Sequence, residues 1–141
     1  DVHTTEHGAF GTSYRDPGRA AGAERLVLTV DDLPAGRRVC PRHWHTVREE
    51  CFYVLGGSGS AIVGDEAHPI ASGSFFLRRP DSGVGQTIEA GPDGLRYVTM
   101  GDLLPGDLCH YPDSNKVKLG RGVFVRIDPL GYYDGEPGAS P

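Results

Sequence analysis

Apolar residues along this chain come in short runs that break before a helical period can build up. Leu26 to Val30, Cys51 to Leu55, Ser60 to Val63, Ser74 to Arg78, Leu95 to Met100 and Val123 to Ile127 are rich in β-branched and aromatic residues, the composition of strands. Turn-forming residues punctuate the chain between these runs: Asp31 to Gly36, Gly56-Gly57, Gly64-Asp65, Pro80 to Gly83 and Gly91 to Gly94. Ser60–Val63 and Glu66–Ile70 flank Gly64-Asp65 and predict a β-hairpin. A strand broken near Pro41 is expected from Arg38 to His45, and another over Gln86–Glu89. Turns recurring every eight to twelve residues predict an all-β sandwich or barrel. Residues 1–22 are polar without a period and read as an N-terminal arm, 23–128 as the barrel and 129–141 as a C-terminal tail.

Composition narrows the class. A chain of 141 residues fits one domain, and its 21 glycines and 11 prolines suit many turns. A formal charge of −5 argues against nucleic acid or an anionic membrane as partner. No apolar run approaches the roughly 20 residues of a transmembrane helix. Cys40, Cys51 and Cys109 form no paired framework and imply ordinary reduced thiols, hence a cytoplasmic setting. The first residue is Asp1, which allows an upstream segment to have been removed.

The candidate chemistry lies between Gly36 and Gly57. In an extended strand, His43 and His45 project from one face and Trp44 from the other. Two imidazoles so placed can share a cation if a turn returns Glu50 towards them, leaving open positions for a ligand. Taken singly, a His-x-His pair is more often a plain surface or core pair, and Glu49-Glu50 a solvated acidic pair. The distinguishing feature is the ordered spacing of Gly, His-x-His, four residues, Glu, six residues and Gly.

That spacing resembles the first cupin motif, with His43, His45, Glu50 and Gly57 on its two His, its Glu and its closing Gly, and Gly36 one residue further upstream than usual. Gly73 to Gln86 resembles the second motif, but Gln86 stands where the family has a third metal-binding His, and Ala90 where it has Asn. The segments Tyr111 to Lys116 and Tyr132 to Glu136 are similar to the tail of small bacterial cupins of unassigned activity.

The resemblance implies a double-stranded β-helix holding one divalent metal ion, Fe, Zn, Mn or Ni, on His43, His45, Glu50 and Gln86. It implies an enzyme acting on a small polar molecule, an oxygenase with iron or an isomerase or lyase with zinc or manganese. Phe52, Tyr97 and Arg96 are candidates for gripping the substrate; no catalytic acid or base is identified. The alternative function is a non-catalytic small-molecule or sugar-binding module. A homodimer is expected. His110, beside Cys109, reads as an exposed loop residue, with a role as alternative fourth ligand left open.

Overall fold

The computed structural model describes residues 1–120 and 122–138; the last three residues of the expected tail lie outside the described residues. Among the described residues, eleven strands form two sheets. The larger contains β1 (His3–His7), β2 (Phe10–Arg15), β3 (Leu26–Leu33), β8 (Gln86–Asp102), β5 (Glu50–Val63) and β6 (Glu66–Ala71) in that order, with β7 (Phe75–Arg78) paired on β5. The smaller has the order β11 (Phe124–Arg126), β10 (Lys116–Lys118), β9 (Cys109–Tyr111) and β4 (Trp44–His45). One short helix, α1 (Pro17–Ala20), is capped by Asp16, whose carboxylate accepts the Arg19 N–H.

Strand alternation builds the core. On β5, Phe52 and Val54 turn inward while Tyr53 and Leu55 are exposed. Phe52 stacks on Phe76 and meets Tyr97 edge-on, and Leu33, Ala61, Ile70, Ile88, Ala90 and Leu95 complete the cluster. Glu50 shares the parity of Phe52 and Val54, so it too points inward, from one end of the strand.

Several boundaries differ from the sequence expectation, each for a backbone reason. Residues 3–15 form a hairpin, and β2 continues the sheet by pairing with β3; β1 is exposed along its length, whereas Gly11 and Thr12 of β2 are buried. Gly56-Gly57 does not end a strand, because β5 runs through with register shifts at Val54/Gly56 and Gly57/Gly59. The expected strands over 86–89 and 95–100 are parts of one strand, β8, in which residues 91–94 loop out opposite Ser58. Arg38 to His45 is reduced to the two-residue β4, with Arg38 and His43 held by isolated bridges to Glu89 and Gln86; Pro41 has no N–H to continue a ladder.

The outer face of the larger sheet carries two apolar rows: Leu28, Met100, Cys51 and Leu77, and Val30, Val98, Tyr53 and Phe75. Phe75 is 58% exposed and Leu77 44%.

Gly57 is required by the fold. Its φ is +78°, and a Cβ there would be driven into the Gly94 carbonyl, whereas Gly36, at φ +69°, has nothing within 4 Å. Gly36→Ala should therefore cost about 1 kcal/mol of left-handed strain, and Gly57→Ala about 3 kcal/mol or more. Urea denaturation of the two variants measures the contrast.

Candidate metal centre

His45 is positioned by a loop distant in sequence. Its Nδ1–H donates to Asp107 Oδ2 at 2.6 Å, while Asp107 Oδ1 accepts the N–H groups of Val47 and Arg48 at 3.0 and 3.1 Å. Burial pushes the Asp107 carboxyl up, but those two N–H groups and the His45 ring outweigh it and hold the pKa below the usual range. Thr46 fastens the same loop, its N–H donating to the Leu108 carbonyl and its hydroxyl accepting the Leu108 N–H.

His43 Nδ1 lies 2.9 Å from the Pro41 carbonyl, which can only accept, so this nitrogen carries the proton. Both imidazoles thus leave Nε2 as the free lone pair. The rings meet at 82° with centroids 5.2 Å apart. Glu50 Oε2, buried and without a hydrogen-bond partner among the described residues, lies 3.8 Å from His45 Nε2. Two guanidiniums flank this carboxylate: Arg78 Nη1 is 3.5 Å from Oε2, and Arg48 Nη1 is 4.0 Å from Oε1. Burial, followed by the positive charge of Arg78, pushes the His43 pKa down to about 4.

Cys109 joins the group. Its Sγ and one ring nitrogen each of His43 and His45 lie within 4.8 Å of one another. Two ligands at about 2.1 Å (N) and 2.3 Å (S) from one ion can be at most about 4.4 Å apart, so little movement separates this arrangement from a coordination sphere. Burial raises the Cys109 thiol pKa.

Two cavities meet here, and His43 and Glu50 line both. The barrel cavity, about 260 Å³, is also walled by Cys40, Phe52, Arg78 and Tyr97, with polar groups from Thr29, Asp31 and Thr99. The loop cavity, about 1050 Å³, is bounded by His45, Arg48, residues 104–109, Tyr111 and residues 118–120.

The structure brings His43, His45 and Glu50 together, and Phe52 and Tyr97 line the barrel cavity beside them. Gln86 faces His43 in a narrow antiparallel pair, each N–H donating to the other's carbonyl, which puts their side chains on one side of the sheet. Arg96 is elsewhere: its parity opposes that of Tyr97, so it is exposed, pairs with Asp32 and lines a different groove. His110 also points away, stacked on Trp44 at 4.2 Å, because in the β4–β9 pairing Cys109 is the residue beside His45. Cys109, Asp107, Arg48 and Arg78 were not marked by the sequence; strand parity in Cys109-His110 is the one signal that favours Cys109 over His110, once the pairing with β4 is known.

Residues 29–83 match the family model of the cupin domain. A candidate sugar phosphate isomerase from Acidithiobacillus ferrooxidans superposes with a TM-score of 0.81 at 23% identity, covering 93% of this chain and 90% of its own. The chain has the fold of the cupins. A sugar phosphate isomerase of the cupin superfamily from Silicibacter pomeroyi resembles it with a TM-score of 0.79 at 19% identity, over 92% of this chain and 90% of that one. The polyketide cyclase RemF from Streptomyces resistomycificus follows this chain over 76% of its length and 78% of RemF, with a TM-score of 0.60 at 23% identity. No curated protein sequence matches the chain. The fold is the double-stranded β-helix expected from the motif, and no described helix is long and apolar enough to cross a membrane.

The depressed His43 pKa has a consequence for metal-free protein. Between about 4, its value in the fold, and 6.5, its ordinary value, the unfolded chain binds more protons. Stability from this group is therefore complete above pH 6.5 and is lost as the pH falls through that window. The loss between pH 7 and pH 4 should be on the order of 3 kcal/mol, and His43→Gln should flatten that part of the curve. Urea denaturation across the range measures both.

Proposed function

We propose that this cupin is a metal-dependent enzyme of the isomerase or lyase class, acting on a small polar molecule. One divalent ion would be held by His43, His45 and Glu50. Gln86 is the fourth ligand the motif suggests, and Cys109 is the one suggested by the proximity of its sulfur. The observation that carries the reading is the convergence of two imidazoles, each with Nδ1 committed elsewhere, beside a buried Glu50 oxygen that lacks a hydrogen-bond partner. The donors fit borderline ions such as Zn, Mn, Fe or Ni, and a Cys109 thiolate would favour Zn. When bound, such an ion acts as a Lewis acid that polarises a carbonyl or hydroxyl oxygen. Asp107 holds the tautomer and orientation of His45, the supporting contact that metal-bound imidazoles usually have. Isomerase or lyase chemistry is preferred to oxygenation because two of the structural relatives carry the name sugar phosphate isomerase. Free Cys40, Cys51 and Cys109 suit a reducing, cytoplasmic setting.

Elemental analysis of protein purified without chelator or nickel resin should find one equivalent of metal per chain; less than about a tenth of an equivalent after loading would overturn the proposal. His43→Ala should abolish binding, and Asp107→Asn should weaken it about 10–100-fold. Gln86→His should tighten binding about tenfold if Gln86 is the fourth ligand, whereas Cys109→Ser should weaken it if Cys109 is. Competition titration against a chromophoric chelator reads all four variants.

The homodimer belongs to the same proposal. Two apolar rows on the outer sheet face form an exposed patch of the kind that a two-fold axis can bury. Light scattering should give twice the 15.1 kDa chain mass. Phe75→Glu combined with Leu77→Glu should give monomer with metal binding retained, and a wild-type monomer at micromolar concentration would exclude the dimer.

A further inference from the structure

We propose that Arg78 anchors the carboxylate of a small hydroxy- or oxo-acid substrate in the barrel cavity; this deepens the enzyme reading above and rests on it. Arg78 lies directly opposite Glu50 in the β5–β7 pairing and so shares its inward face. It is only 7% exposed, with its guanidinium 4.8 Å from the centre of the Phe52 ring. Nη1 faces Glu50, but Nη2 is buried with no hydrogen-bond partner among the described residues. A buried cationic donor left unused is a costly arrangement, and Arg78 lines a cavity in which a ligand could satisfy it.

Charge points the same way. Two neutral imidazoles, one carboxylate and a dication would leave the centre at about +1, and Arg78 beside it would add another positive charge. Glu50 would then be shared between the ion and the guanidinium, so the pair would favour an anion from the ligand. A guanidinium fork matches a planar carboxylate.

The rest of the cavity limits what the ligand can be. Asp31 lies on the cavity wall, its Oδ2 accepting the hydroxyls of Thr29 and Thr99 at 2.7 and 3.1 Å, while Oδ1 accepts no hydrogen bond from the described residues. It can receive a substrate hydroxyl. Its negative charge, set against the centre and Arg78, leaves the cavity better suited to a monoanion than to a dianion, which separates a carboxylate from a phosphate. At about 260 Å³ the space is smaller than drug-sized sites of roughly 300–1,000 Å³, which suits an acid of a few carbons. His43 and Glu50 share this wall, so an oxygen next to the anchored carboxylate would face the metal ligands.

Calorimetric titration with glycolate, lactate and pyruvate, their primary amides and inorganic phosphate tests the proposal, with metal content measured on every sample. Metal-loaded wild type should bind at least one of the acids, and bind it about tenfold or more tighter than its amide. Arg78→Gln should lose that preference and Arg78→Lys should keep part of it; if the Gln variant does not fold, the acid–amide contrast in wild type decides. No binding of any of the three acids, equal binding of acid and amide, tighter binding of phosphate, or an Arg78→Gln variant that still prefers the acid would each overturn the anchor. Loaded metal without acid preference defeats the anchor alone. Acid preference that depends on Arg78 in protein that takes up no metal supports the anchor and defeats the metal reading.

Discussion

Much of this structure follows from burying one negative charge. Glu50 occupies an inward position on a strand whose next inward residues are Phe52 and Val54, so its carboxylate enters the barrel. An ionised group out of water needs compensation from charge or hydrogen bonds. Compensation comes from Arg78 opposite it in the sheet and Arg48 at the preceding turn, while the two neutral imidazoles turn lone pairs towards the same space. These contacts are long for hydrogen bonds, and Oε2 has none. With Asp107 included, the cluster sets two carboxylates against two guanidiniums but is incompletely bonded, as suits a site that an ion and a ligand would complete.

The same polarity divides the molecule. Apolar packing of Phe52, Phe76, Tyr97, Ile88 and Leu95 fills the barrel on one side of Glu50, and a polar loop cavity opens on the other. Phe52 belongs to both regions, packing in the core and presenting its ring face to Arg78. The barrel cavity is therefore walled by residues that also hold the fold together.

The fold and half of the site were legible in the sequence because both depend on local rules. Strand alternation and turn residues identify the barrel, and the His-x-His and Glu spacing survives even though the strand around Arg38 to His45 mostly dissolves into single bridges. What stayed hidden depends on pairing between distant segments. Nothing near Asp107 in sequence indicates that it grips His45, and Arg78 reads as the polar end of a strand until its register with Glu50 is known. Arg96 shows the opposite error: it was a candidate for gripping the substrate, but its neighbour Tyr97 takes the inward position.

The fastening of the 104–108 segment also bears on how the centre exchanges with solvent. Asp107 holds the His45 ring through one oxygen and the 47–48 backbone through the other, while Thr46 ties down Leu108. Lifting this segment to widen the loop cavity would break the contact that orients His45. Access and affinity therefore share a latch: the movement that admits a larger guest also loosens the grip on whatever the imidazole holds.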